Sequence, residues 1–119
     1  MAYVDGFLLV IPARKVAAYR RVSAKAGKVW KEYGALEYRE CVGDDFAMKG
    51  SATFQKRVKA KRGEVVVFSW IVYKSKADRK RVLKKVMADK RLANMMDPND
   101  MPFDMKRMSY GGFKVIVDM

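Results

Sequence analysis

The sequence Glu64-Val-Val-Val-Phe-Ser-Trp-Ile-Val-Tyr73 is apolar at both alternating sets of positions. β-Branched and aromatic residues make up most of it, which is typical of a β-strand. A strand that is apolar on both sides belongs inside a sheet that is covered on both faces. Residues 3–11 show the same double pattern, so the sequence predicts two such central strands.

Two amphipathic helices are predicted, one after each of these strands. Residues 13–33 carry apolar side chains at helical spacing and are followed by Gly34, a typical helix stop. Ser75 is a favourable N-cap for a second helix over about residues 76–89. The inward stripe of that second helix is predicted to be Val82, Leu83, Val86 and Met87.

Two further strands complete the predicted order. Residues 35–44 alternate between apolar and polar side chains, and residues 108–117 form an apolar final segment. Between residues 35–44 and the strand at residues 64–73, residues 45–62 form a long basic loop. In this loop, residues 54–59 form either a short helix or an edge strand. The order strand-helix-strand-strand-helix-strand is the ferredoxin-like α+β pattern, with a four-stranded antiparallel sheet and the first and third strands in the middle. Residues 1–119 are predicted to form this single domain.

The face of the sheet that lacks helices poses a problem of burial. Both helices cover the same face in this topology, yet the two central strands are apolar on the other face as well. Leaving that face in water would forgo about 25 cal/mol for each Å² of apolar surface. The simplest cover is the same face of a second copy, so we expect a homodimer with two sheets packed face to face.

Composition excludes several kinds of chemistry. The 119 residues include no histidine and a single cysteine, Cys41. Zinc sites, histidine-ligated haem and Ser-His-Asp or Cys-His mechanisms are therefore excluded, and we expect no metal site and no cofactor. With no possible intrachain disulfide, no apolar run long enough to span a membrane and no signal-peptide pattern at the start, we expect a cytoplasmic protein without membrane association.

The net charge of +13 raises the question of a nucleic-acid partner. Basic residues concentrate in the two predicted helices and in residues 49–62, and such a field attracts nucleic acid without sequence preference. The same residues also fall where an amphipathic helix places its polar face, and we favour this second interpretation.

Several motifs resemble those of the YbaA-like bacterial family, also labelled DUF1428. They include Tyr3-Val-Asp-Gly-Phe7, Ala26-Gly-Lys-Val-Trp30, Gly34-Ala-Leu-Glu-Tyr38, Val67-Phe-Ser-Trp-Ile-Val-Tyr73, Met95-Met-Asp-Pro98, Met101-Pro-Phe-Asp104 and Lys106-Arg-Met-Ser-Tyr-Gly-Gly-Phe113. The resemblance implies a dimeric α+β barrel related to antibiotic monooxygenase-type and stress-responsive barrels, and it implies no established activity. Gln55 and Arg62 depart from it, because prolines are expected there.

In barrels of this superfamily, ligands usually enter between the helices and the sheet. The ligand-binding candidates for such a pocket are Trp30, Tyr38, Trp70, Arg107 and Tyr110. For the two tryptophans the alternative is core packing, and for the two tyrosines it is a sheet or dimer anchor.

Asp5 shares a strand face with apolar residues and is the candidate catalytic base. The alternatives for Asp5 are a buried ion pair or a position near the strand end that reaches water. Arg107 could hold an anion near Asp97 and Asp104, or it could pair with one of them while Asp104 caps a turn. Gly111-Gly112 indicates a bulge or a close backbone approach.

The sequence therefore favours a small homodimer that binds a small organic molecule in a pocket between helices and sheet. A cofactor-independent oxygenase or isomerase is the enzymatic form of this hypothesis. The alternatives are a basic nucleic-acid-binding protein and a structural self-association module.

Overall fold

The computed structural model describes residues 1–47, 49–50, 52–95 and 101–119. The strands are β1 (Tyr3–Pro12), β2 (Glu37–Val42), β3 (Glu64–Tyr73) and β4 (Ser109–Lys114). The α-helices are α1 (Val16–Glu32), α2 (Phe54–Arg57), α3 (Lys76–Ala88) and α4 (Lys90–Met95). Two short 3₁₀ turns, Ala13–Lys15 and Met105–Arg107, precede α1 and β4.

The four strands form one antiparallel sheet in the order β2-β3-β1-β4. The predicted ferredoxin-like arrangement is confirmed, with the two doubly apolar strands in the middle. The register places Phe7 of β1 opposite Ser69 of β3 and Tyr110 of β4. Because side chains alternate between faces, one set of positions on every strand faces the helices and the other set faces away.

The helices α1, α3 and α4 pack on one face of the sheet. The main core cluster there joins Val29 of α1, Val82 and Val86 of α3, and Ile71 and Tyr73 of β3. Local signals explain where these helices begin and end. Gly34 takes a positive φ of 120° after α1, and the Ser75 hydroxyl accepts a hydrogen bond from the Asp78 N–H at the start of α3.

Several elements differ in detail from the sequence predictions, and one open alternative is resolved. Residues 54–57 are helical, so the first of the two alternatives for that segment is confirmed. Helix α4 was not predicted, and the last strand ends at Lys114 where residues up to 117 were expected. Val82 and Val86 are buried as predicted, whereas Met87 is 63 % exposed at the edge of the helix layer.

The face opposite the helices is apolar, as expected, and is open in the single chain. Phe68 is 45 % exposed and Phe113 is 61 % exposed, while Val4, Leu8 and Trp70 beside them are half-buried. We call this surface the open face. The chain measures 39 × 38 × 20 Å, so it is flattened along one direction. No helix in the described part of the chain has both the length and the hydropathy needed to cross a membrane.

Candidate functional site

A cleft of about 410 Å³ lies between the helix layer and the sheet. Its floor is made by β1, β2, β3 and β4, and its roof by α1, α3, α4 and the segment that precedes β4. The lining is mainly apolar and aromatic, and it includes Phe7, Leu9, Tyr19, Trp30, Tyr38, Ile71, Leu83, Leu92, Phe103, Met108 and Tyr110. Two clusters of polar side chains interrupt this surface.

The first polar cluster is centred on Asp5, which is fully buried. Arg79 of α3 donates from Nε to Asp5 Oδ1 at 2.7 Å, and the Tyr73 hydroxyl donates to Asp5 Oδ2 at 3.0 Å. The Trp30 indole N–H in turn donates to the Tyr73 hydroxyl at 3.2 Å. Burial and the nearby charge of Asp5 raise the pKa of Tyr73, so its hydroxyl keeps the proton that it donates. The buried ion pair is therefore the interpretation that the geometry of Asp5 supports.

Arg79 also links this cluster to the edge of the sheet. Its Nη2 donates to the Tyr110 hydroxyl at 2.7 Å, and the Tyr110 ring stacks on Phe7 with centroids 4.8 Å apart. Arg79 is not among the candidates predicted from the sequence. A signal was present, because residues 79, 82, 83 and 86 share one face of a helix and the last three form the predicted inward stripe.

The second polar cluster is centred on Glu40 of β2. The Tyr19 hydroxyl donates to Glu40 Oε1 at 2.6 Å, and the Tyr38 hydroxyl donates to Glu40 Oε2 at 3.1 Å. Burial, followed by the charge of Glu40, raises the pKa of both tyrosines, while the neighbouring Ser23 hydroxyl acts in the opposite direction. Glu40 was also missed, although the alternation of β2 places it on the same face as Tyr38.

Four of the candidate residues line the cleft together, namely Asp5, Trp30, Tyr38 and Tyr110. Trp70 does not. It stands on the open face, opposite Gly6 in the register, with its ring 5.7 Å from that of Phe68. This placement corrects the prediction that Trp70 faces the helices, and the physical reason is the alternation of β3, which turns Ser69 toward the cleft.

Arg107 also lies away from the cleft, and its predicted role needs correction. Its Nη2 donates to Glu64 Oε1 at 3.0 Å and to the Lys59 carbonyl oxygen at 3.1 Å. These partners occupy the guanidinium group, and the hydrogen bonds from Arg107 lower the pKa of Glu64 to about 2. The prediction that Asp104 caps a turn is confirmed by its side chain, which accepts from the Lys106 N–H at 3.0 Å. The expected pairing of Arg107 with Asp104 is wrong, and Asp97 lies outside the described residues.

Of the paired glycines of β4, Gly112 makes room for the side chain of Tyr3 on the neighbouring strand. A Cβ atom on Gly112 would lie 2.6 Å from the Tyr3 hydroxyl oxygen, whereas a Cβ atom on Gly111 would make only ordinary contacts. The β1–β4 register runs without a bulge from Tyr3 to Leu8. Among the described residues, no group of three or more His, Cys, Asp or Glu side chains is placed to hold a metal ion.

Comparison with known proteins connects the chain to one family. Residues 2–105 match the family described as "Protein of unknown function (DUF1428)". The chain belongs to this family. It is 47 % identical over 118 residues to "Uncharacterized protein YbaA" of Escherichia coli strain K12, a match that covers 99 % of each chain.

Two solved structures show the same fold at low sequence identity. SnoaB from Streptomyces nogalater, described as a cofactor-independent oxygenase, is 11 % identical with a TM-score of 0.56, covering 99 % of this chain and 96 % of that one. A protein described as a dimeric ferredoxin-like protein, from an uncultured marine organism, is 10 % identical with a TM-score of 0.56 and full coverage of both chains. At these identities the likeness establishes the fold and nothing further.

Proposed function

We propose that this protein is a homodimer that binds a small, mainly apolar organic molecule in the cleft between its helices and its sheet. The observation that carries the proposal is the cleft itself. Its volume of about 410 Å³ falls within the range of roughly 300–1,000 Å³ that is usual for small-molecule sites. An apolar lining with a few polar groups is the composition expected of such sites.

The lining indicates a ligand with a flat, apolar body. The Trp30 and Tyr38 rings lie with centroids 6.0 Å apart on one side of the cleft, and the stacked Phe7 and Tyr110 rings lie on another. Aromatic side chains present large rigid surfaces to a ring-containing ligand at a small cost in conformational entropy. Trp30 and Tyr38 are proposed to contact this body directly.

The open face supports the homodimer. Its exposed aromatic side chains, Phe68 and Phe113, border a hollow at Gly6 of β1 and Gly111 of β4, two paired positions that have no side chain. An exposed apolar sheet face of this kind is a typical site for a protein–protein interface. One structurally similar protein is itself described as dimeric.

Sedimentation velocity tests the assembly. Phe68→Glu places a charge in the centre of the proposed interface, at a residue that is already exposed in the single chain, so the protomer should still fold. Met87→Glu is the matched control, because Met87 is also exposed but lies on the helix layer. We expect the control to remain a dimer and Phe68→Glu to sediment as a monomer. A dimer in both variants would place the interface elsewhere.

A cofactor-independent oxygenase or isomerase is the enzymatic form of this proposal. The support is the fold shared with SnoaB and the presence of two carboxylates, Asp5 and Glu40, in the cleft. Both oxygens of Asp5 already accept hydrogen bonds from Arg79 and Tyr73, so a proton-accepting role would require this ion pair to open.

The two tryptophans provide an internal test of binding. Trp30 lines the cleft and Trp70 lies on the open face, so their indole N–H signals in a ¹H–¹⁵N NMR spectrum report on opposite sides of the sheet. The neutral aromatic alcohol 3-phenyl-1-propanol is expected to shift the Trp30 signal in a saturable way and to leave Trp70 unchanged. Trp30→Phe assigns the signals. The absence of a saturable Trp30 shift up to the solubility limit would overturn the proposal.

A further inference from the structure

Glu40 differs from the other carboxylate of the cleft in having no basic partner within the described chain. Asp5 is neutralised by Arg79 at 2.7 Å. No lysine or arginine nitrogen among the described residues forms an ion pair with Glu40. Its neighbour Arg39 also borders the cleft but pairs with Glu37 at 3.3 Å. Glu40 is thus an exposed acidic residue on the wall of a mainly apolar cleft, and its charge is available to a ligand.

The surroundings of Glu40 hold its carboxylate in place without using up its capacity to accept hydrogen bonds. Tyr19 and Tyr38 each donate one hydrogen bond, one to each oxygen. An ionised carboxylate has about four acceptor positions, so about two remain for a ligand. The hydroxyl groups of Ser23 and Ser69 line the same part of the cleft, and both residues are buried.

From this arrangement we propose that the ligand carries a protonated amine, which binds the Glu40 carboxylate while its apolar body fills the cleft. The inference rests on the proposed function and names the chemical class of the ligand. An ammonium group supplies the missing positive charge and several N–H donors for the carboxylate and the nearby hydroxyl oxygens. The aromatic rings of Trp30 and Tyr38, which line the same cleft, also favour a cation over an anion. An anionic ligand would meet an unneutralised negative charge.

The net charge of +13 does not oppose this selectivity at close range. Interactions between exposed charges are largely screened beyond about 8 Å at physiological ionic strength, whereas an ammonium group bound to Glu40 would be in direct contact with the carboxylate. The basic surface has a useful consequence, because it disfavours binding of cations elsewhere on the protein. A saturable site for an amine should therefore be a single one.

The test uses three ligands of matched shape and different charge. These are 3-phenylpropylamine, 3-phenyl-1-propanol and 3-phenylpropionate, titrated at physiological ionic strength and pH 7 with the Trp30 indole N–H signal as the readout. The amine is expected to bind at least about tenfold more tightly than the alcohol, since one charge-assisted contact replaces a neutral one. The acid should bind most weakly of the three.

Glu40→Gln is the decisive variant, and Glu37→Gln is its matched control. Both remove one negative charge from β2, but Glu37 lies on the other face of the sheet, where its carboxylate accepts a hydrogen bond from Arg39. We expect Glu40→Gln to abolish the preference for the amine over the alcohol, while Glu37→Gln keeps the preference.

The outcomes separate the two proposals. If the wild-type protein binds the alcohol as tightly as the amine, or if the preference survives in Glu40→Gln, the inference about the amine is overturned and the proposed function stands. If no member of the series shifts the Trp30 signal, both are overturned. The comparison of the three ligands in the wild-type protein does not depend on the stability of any variant.

Discussion

The Asp5–Arg79 pair should be asymmetric when its two members are removed separately. Asp5 is fully buried and holds both its hydrogen bonds inside the protein, whereas the Arg79 side chain remains 22 % exposed. Replacing Arg79 by methionine leaves a buried carboxylate whose remaining donor is the Tyr73 hydroxyl. Replacing Asp5 by asparagine leaves an arginine that can still reach water and still contacts Tyr110.

The expected magnitudes follow from this difference in access to water. Removing the partner of a buried charge typically costs about 3–5 kcal/mol, so Arg79→Met should fall in that range. Losing a hydrogen bond to a charged group costs about 1.5–3 kcal/mol, which is the range expected for Asp5→Asn. The double variant should cost less than the sum of the two single variants, with a coupling of about 1–3 kcal/mol, because the second substitution removes a partner that the first has already lost.

Urea unfolding measures the free energy of unfolding of the two single variants and of the double variant. The protein concentration is held constant, because the unfolding midpoint of a dimer depends on it. Tyr110→Phe is the control for the remainder of the network, since it removes the contact of Arg79 with Tyr110 and leaves the ion pair intact. Equal costs for Arg79→Met and Asp5→Asn, or strictly additive costs in the double variant, would show that Asp5 does not depend on Arg79 for neutralisation.

Three further substitutions test other parts of the fold. Gly27→Ala should destabilise the protein by about 1–2 kcal/mol despite the better helix propensity of alanine, because the new Cβ would lie 2.8 Å from the Tyr38 ring; unchanged thermal stability would contradict this. Glu64→Gln should weaken the dependence of stability on pH between 4.5 and about 2. Hydrogen bonds from Arg107 stabilise ionised Glu64 above pH 4.5, and this stabilisation is lost as the pH falls toward 2. Parallel curves of stability against pH for the two proteins would refute this prediction. Ser75→Ala should cost about 1 kcal/mol through loss of the α3 cap, with Ser75→Asp retaining most of the stability in the same unfolding assay.

The order of the sheet could be predicted because strand pairing leaves a strong periodic signal. Apart from Glu64 and Ser69, residues 64–73 are apolar on both alternating sets of positions, and this pattern is typical of a central strand in a covered sheet. The boundaries of β3 agree with the prediction to the residue. Helix α4 escaped prediction because its six residues are too few for a helical period to stand out, and burial of Leu92 stabilises it in place of local propensity.

The cleft was only partly predictable, for two different reasons. Trp70 was assigned to the wrong face although its position in β3 showed which face it shares with Phe68, because a tryptophan on a central strand is compatible with a ligand pocket as well as with core packing. Arg107 was assigned from its neighbours in sequence, but its partner Glu64 lies 43 residues away and meets it only through the fold. Long-range ion pairs of this kind leave no periodic pattern in one sequence.

The two carboxylates of the cleft show how burial and pairing separate a structural role from a binding role. Asp5 is buried beyond the reach of water, so its charge could be retained only with Arg79 and Tyr73 beside it, and these contacts tie α3 to the centre of the sheet. Glu40 lies at the exposed side of the cleft, where water can compensate for its charge when no ligand is present. A ligand that enters displaces this water and must replace its hydrogen bonds. The residue that the fold leaves unneutralised is therefore the one available to select a ligand by charge.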